Sequence, residues 1–141
     1  MTDLIYAGDL SPEESWELLN SDPDAQMIDV RTNAEFSYVG VPDLSVTGKE
    51  LHLICWKVFP AMDVNRDFET EVEALGFSHS QLLLFLCRSG VRSRSAAHIM
   101  TIRGYTRCYN VLEGFEGDKC PEGRRGSVGG WKVAGLPWHQ K

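Results

Sequence analysis

Cys87-Arg88-Ser89-Gly90-Val91-Arg92-Ser93 places a thiol, two guanidiniums, two hydroxyls and a glycine within one short segment. It follows the longest uninterrupted apolar run, Leu82 to Cys87, and leads into a stretch patterned as a helix, Ser93 to Arg103, that Gly104 stops. A cysteine at the end of a buried strand, facing a helix start, lies where unpaired backbone N–H groups converge. Those groups and the positive helix end favour negative charge on the sulfur. Arg88 and Arg92 add permanent cations whose planar forks match oxyanions. Gly90 permits the twist that turns successive N–H groups inward as an anion nest. Ser89 and Ser93 can donate hydroxyl hydrogen bonds, and Ser93 could also cap the helix. Composition alone thus reaches an anion cradle centred on Cys87, against the alternative of a buried structural cysteine beside solvated arginines. Asp29 and Arg31 sit at a second strand end. They are expected to form an internal ion pair supporting the loop, with direct contact of Arg31 with the bound anion as the alternative.

The elements that must position these residues alternate between strand and helix. Leu4-Ile5-Tyr6 reads as a short strand. Ser11-Pro12-Glu13-Glu14 opens a helix reaching about Asn20, with Ser11 as cap, Pro12 in the first helical position and Glu14 completing a capping box. Met27 to Val30 is a compact apolar strand, and Thr32-Asn33-Ala34-Glu35 repeats the capping pattern directly after it. Leu51 to Val58 reads as a strand closed by Pro60. Asn65 to Leu75 reads as a helix with Phe68, Val72 and Leu75 on one face and Gly76 at its end. Leu82 to Leu86 has the continuous apolar character of a strand covered on both faces. Thr106 to Val111 is another strand, and a Gly-rich remainder carries Trp131 and Trp138. This alternation implies an α/β fold: a mostly parallel sheet flanked by helices on both faces. In such sheets ligands bind beyond the carboxyl ends of the strands, where Asp29, Arg31 and Cys87 fall.

The chain has 141 residues, 43% hydrophobic and 24% charged, which suits one domain with one core. Its net charge of −6 is unevenly spread. Residues 1–86 hold 4 Lys/Arg against 16 Asp/Glu, whereas residues 87–141 hold 10 against 4. An acidic protein whose cations gather near one segment suits a small anion, not a nucleic acid. No apolar run approaches the ~20 residues that cross a bilayer. Met1-Thr2-Asp3 lacks the start of a secretory leader, so a cytoplasmic protein with no membrane partner is expected. Cys55, Cys87, Cys108 and Cys120 form no Cys-x-x-Cys pair, and His52 with Cys55 has no second ligand pair, so no metal is expected. Cys55 and Cys108 are expected to be buried in strands, and Cys120 to be an exposed thiol. The four tryptophans are expected in core or cover, with Trp56 the candidate to line the substrate entrance.

The chain resembles a single-domain rhodanese. The resemblance rests on Ile28-Asp29-Val30-Arg31 with Glu35-Phe36, on the loop Cys87 to Ser93, and on Tyr109-Asn110-Val111 through Gly114, with later Gly130-Trp131 and Gly135-Leu136-Pro137. It implies a rhodanese-like, five-stranded, mostly parallel sheet. It implies a sulfurtransferase in which Cys87 takes the outer sulfur of thiosulfate or a similar small anionic donor as a persulfide. That sulfur then passes to cyanide, a thiol or a protein acceptor, with no cofactor. Backbone N–H groups of Arg88, Ser89, Gly90, Val91, Arg92 and Ser93 would hold the persulfide, and Arg88 and Arg92 would orient the donor. Two stretches depart from the pattern. Tyr38 to Leu44 lacks the family's histidine, and Glu116 to Gly129 is an insert containing Cys120, Arg124 and Arg125.

Two other functions compete. A cysteine phosphatase or arsenate reductase needs Cys-x5-Arg, but the sixth residue after Cys87 is Ser93 and Arg92 is the fifth. A persulfide-carrying, redox-sensing or binding module would keep the fold and use a partner in place of turnover.

Overall fold

The computed structural model describes residues 4–58 and 63–140. The five-stranded sheet consists of β1 (Gly8–Leu10), β2 (Gln26–Asp29), β4 (His52–Leu53), β7 (Leu83–Leu86) and β8 (Cys108–Val111). Its order is β1-β8-β7-β2-β4 and every pairing is parallel. The register sets Asp29 opposite Leu86, so β2 and β7 end side by side. Two short antiparallel pairs lie outside this sheet. They are β3 (Val41–Pro42) with β9 (Trp138–His139), and β5 (Lys57–Val58) with β6 (Asp63–Val64).

Four helices complete the fold: α1 (Pro12–Ser21), α2 (Asn33–Tyr38), α3 (Phe68–Glu73) and α4 (Val91–Ile102). Both expected capping boxes form. Ser11 with Glu14 starts α1, and Thr32 with Glu35 starts α2. The strand alternation divides the core. Leu83, Phe85 and Cys87 face α3 and α4 through Phe68, Val72, Ala96 and Met100. Leu84 and Leu86 face the opposite side, where Leu19 of α1, Phe115 and Trp131 close over them. Trp131 is fully buried, edge-on to Trp16 at 5.8 Å.

Several boundaries differ from expectation. The first strand is Gly8–Leu10, because those residues pair with Tyr109 to Val111. Ile5 instead donates its N–H to the ring Nδ1 of His98 at 2.8 Å. The expected strand Leu51 to Val58 keeps only His52–Leu53 in the sheet. Asn65 takes the next carbonyls, with its amide side chain on Cys55 at 2.9 Å and its N–H on Trp56 at 2.8 Å. Cys55 is therefore half-buried outside any strand, and Pro60 lies outside the described residues. The third helix is shorter than Asn65 to Leu75 because the Asn65 side chain accepts the Asp67 N–H and holds a turn there. The fourth starts two residues early, at Val91.

The carboxyl end of β2 carries a buried ion pair. Arg31 and Asp29 are both wholly shielded from solvent and meet at 2.7 Å, with a second guanidinium bond at 2.9 Å. Arg31 also donates to the Gly40 carbonyl at 2.7 Å and lies 4.3 Å from the centre of the Phe115 ring. Burial pushes the Asp29 carboxyl up, and the Arg31 charge and hydrogen bonds oppose that rise. Removing either partner strands the other charge in the core. Arg31→Ala and Asp29→Ala are each expected to lose about 3–5 kcal/mol. The double variant should lose clearly less than the sum, measured by urea denaturation midpoints.

Candidate functional site

Cys87 is the first residue past β7, and its thiol is only 1% exposed. Two donors reach its Sγ: the Gly90 N–H at 3.1 Å and the Ser93 hydroxyl at 3.2 Å. Gly90 occupies the position before α4 with φ +102°, a left-handed conformation that costs side-chain-bearing residues energy. That twist turns its N–H back onto the sulfur. The first-turn N–H groups of α4 have no preceding helical carbonyl to bond. The Gly90 N–H and the Ser93 hydroxyl thus converge on one sulfur atom, in a turn whose Arg88 and Ser89 N–H groups have no backbone acceptor among the described residues.

Ser93 does not cap the helix. It lies inside the first turn of α4, fully buried, where its hydroxyl reaches Cys87 and also the Asn110 side-chain oxygen at 2.5 Å. Asn110 is held in turn by donating to Asp9 at 3.0 Å. A hydroxyl has a single proton to give. Cys87 and Asn110 therefore compete for that proton, and an ionised sulfur would be the stronger acceptor.

The loop is anchored from below by the chain after β8. Phe115 donates to the Cys87 carbonyl at 2.8 Å, and Glu116 and Gly117 donate to the Arg88 carbonyl at 3.0 and 3.1 Å. Gly114 makes this approach possible. A side chain there would fall on the carbonyl carbon and oxygen of Arg88, at 2.6 and 2.7 Å.

Above the sulfur opens a cavity of about 400 Å³ bordered by Glu35, Lys57, Arg88, Arg92 and Arg125. Ser89 and Val91 also line it. The fork of Arg92 is engaged by both Glu35 oxygens, at 2.7 and 2.9 Å. Burial works to raise the Glu35 carboxyl, but the Arg92 hydrogen bonds and the Thr32 N–H overcome it and bring the pKa to about 2. Lys57, Arg88 and Arg125 have no carboxylate within ion-pair distance among the described residues. Asp29 and Arg31 lie beneath this cavity and do not line it. Trp56 packs edge-on to Phe68 in the core, and its neighbour Lys57 borders the cavity.

The remaining thiols have different surroundings. Cys108 is buried in β8, and burial pushes it up to about 11. Burial likewise raises Cys55, which touches Asn33. Cys120 is half-buried among the turns of the 116–129 segment. Among the described residues no group of three or more His, Cys, Asp and Glu side chains could hold a metal ion.

Comparison with protein families matches residues 11–119 to the rhodanese-like domain. The chain belongs to the rhodanese-like family. The crystal structure of Rv0390 from M. tuberculosis shares 43% of its residues and superimposes with a TM-score of 0.88, over 97% of this chain and 100% of that one. An uncharacterised RP600 homologue of Rickettsia rickettsii is 36% identical over 126 residues, 89% of this chain and 91% of its own. More distantly, the thiosulfate sulfurtransferase GlpE of Actinobacillus succinogenes is 27% identical over 129 residues, 92% of this chain and 87% of its own. No helix among the described residues of this rhodanese-like chain is long and apolar enough to cross a membrane.

Sequence reasoning passed over four residues that border or support this rhodanese-like site. Glu35 enters the sequence reading as a helix cap and as part of the family resemblance, without a role in the site, and the same carboxylate also binds Arg92. Asn110 lay in a recognised motif without a role. Lys57 carried no signal, and Arg125 sat in a segment without a family counterpart.

Two outcomes follow from this geometry. Glu35 titrates at about 2 in the folded chain against an ordinary 4.5, so its stabilisation is complete above pH 4.5 and is lost as pH falls toward 2. Glu35→Gln should cost on the order of 2–3 kcal/mol at pH 7 and progressively less below pH 4.5, read from thermal melts across pH. Gly90→Ala has ordinary space around its new methyl, the nearest atom lying at 3.5 Å, so its cost is the backbone conformation. Stability should fall by about 1–2 kcal/mol. Alkylation of Cys87 by iodoacetamide should slow more than that stability loss explains.

Proposed function

We propose that the chain is a sulfurtransferase working through a Cys87 persulfide. One observation carries the reading: a cysteine sulfur at the foot of a cation-bordered cavity receives hydrogen bonds from Gly90 and Ser93. The Cys87 thiolate attacks the outer sulfur of thiosulfate or a similar donor. The donor S–S bond breaks, and sulfite leaves with its electron pair. The new terminal sulfur carries the negative charge and rests among the loop N–H groups of Arg88 to Ser93, which are preorganised for it. An acceptor thiolate, free or on a protein, or cyanide then attacks that sulfur and releases the Cys87 thiolate. Arg88 is the loop cation available to the anionic donor. Arg92, tied to Glu35, holds the loop against α2 and lends its field. That engagement, with the short spacing from Cys87, weighs against a phosphatase, whose arginine must clamp a tetrahedral anion.

Support comes from family membership and from the distant GlpE relatives named as thiosulfate sulfurtransferases. The test is intact-protein mass spectrometry after mixing with thiosulfate, followed by cyanide and a thiocyanate assay. Wild type should gain one sulfur atom and lose it to cyanide. Cys87→Ser should do neither, and Cys120→Ser should behave as wild type. A wild type that takes no sulfur from thiosulfate or from a low-molecular-weight persulfide would sink the transferase reading in favour of a sensing or binding role.

A further inference from the structure

We infer that Arg125 is a specificity-determining residue, selecting sulfur substrates of Cys87 that carry a carboxylate or sulfonate beyond the reacting sulfur. The inference rests on the Cys87 reading above and concerns what that cysteine accepts.

Arg125 lies outside the matched family region, residues 11–119, yet borders the same cavity as Cys87. The segment bearing it is built onto the cysteine loop. The Arg88 carbonyl accepts from Glu116 and Gly117, and the Gly117 carbonyl accepts from the Arg125 Nη1 at 2.9 Å. Gly126 donates to the Glu116 carbonyl at 2.8 Å, which fixes the backbone immediately after Arg125. Farther along, Gly130 donates to Glu113 at 2.8 Å, tying the end of the segment to the end of β8. The side chain is thus held at one nitrogen while its other donors stay open to a ligand. A guanidinium already ordered by one bond loses less freedom on binding a planar anion. Its immediate neighbour Arg124 is exposed and does not border the cavity.

The size of the cavity points the same way. Thiosulfate has five heavy atoms, which fill roughly 150 Å³ at about 30 Å³ for each water-sized atom. The cavity offers about 400 Å³. The surplus space, with Lys57, Arg88 and Arg125 around it, suits an organic persulfide or thiosulfonate with its own acidic group. Arg92 adds little net charge there, because Glu35 balances it.

The experiment compares two probes by peptide-resolved mass spectrometry at Cys87: neutral methyl methanethiosulfonate and anionic 2-sulfonatoethyl methanethiosulfonate. In each case the thiolate attacks the sulfenyl sulfur, a disulfide forms and methanesulfinate leaves with the electron pair. Arg125→Gln should lower the anionic-to-neutral rate ratio about tenfold, the scale of one charge-assisted hydrogen bond. Arg125→Lys should recover part of it. Arg124→Gln removes the same formal charge and should leave the ratio within twofold of wild type. The inference is overturned if Arg125→Gln keeps the wild-type ratio, or if Arg124→Gln lowers it equally. A variant that merely loosened the loop would slow both probes together and keep the ratio, which also counts against the inference. These rates need no sulfur turnover. A wild type that forms no persulfide but shows the Arg125-dependent ratio therefore removes the transferase reading and leaves the charge selection standing.

Discussion

The guanidinium of Arg31 governs how the carboxyl edge of the sheet is built. A fully buried cation carries a desolvation cost of several kcal/mol unless its surroundings supply charge and acceptors. Here they come from three parts of the chain. Asp29 precedes it on the same strand end, Gly40 offers a carbonyl from beyond α2, and Phe115 lays its ring against the guanidinium. Phe115 also donates its N–H to the carbonyl of Cys87. One cation therefore joins the end of β2, the exit of α2 and the support beneath the Cys87 sulfur, without bordering the cavity itself.

The same edge shows why the sulfur is where it is. Parallel strands bring their carboxyl ends to one side, so Asp29, Cys87 and the residues after Val111 gather there. β7 is covered on both faces, and strand alternation places Cys87 in the row with Leu83 and Phe85, toward α4. The turn into α4 then has only Arg88, Ser89 and Gly90 to reverse direction. A turn so tight uses the positive φ of Gly90 and aims the Gly90 N–H at the sulfur. The two donors at the sulfur are a by-product of connecting a buried strand to a helix in four residues, Cys87 to Gly90.

Much of this was legible in the sequence, for identifiable reasons. Both capping boxes formed because a Ser or Thr with Glu three residues on satisfies helix N–H groups locally, whatever the rest of the chain does. The continuous run Leu82 to Leu86 marked the central strand because only a strand covered on both faces needs apolar residues at every position. What failed depended on partners distant in sequence. Leu4 to Tyr6 is more apolar than Gly8 to Leu10, but the ladder with Tyr109 to Val111 selects the latter. Leu51 to Val58 has strand composition, yet Asn65 captures two of its carbonyls and confines pairing to His52–Leu53. In the site, the loop was legible because its residues are contiguous. Glu35, Lys57, Asn110 and Arg125 reach it from four other segments, and no local pattern announces such an encounter.

The charge distribution acquires its meaning from the same encounters. The chain is acidic overall, and its first 86 residues supply most of the carboxylates. At long range that surplus repels anions. At physiological salt, however, exposed charges act over a Debye length of about 8 Å. Among the residues that line the cavity the balance is different. The one carboxylate bordering it, Glu35, is spent on Arg92, and three cations stay uncompensated among the described residues. Glu35 thus does more than hold α2 to α4. By occupying Arg92 and no other cation, it leaves Lys57, Arg88 and Arg125 as the unpaired cations of the lining, and they approach from three separate segments. The field at the mouth therefore comes from three directions, and no carboxylate left free among the lining residues opposes it.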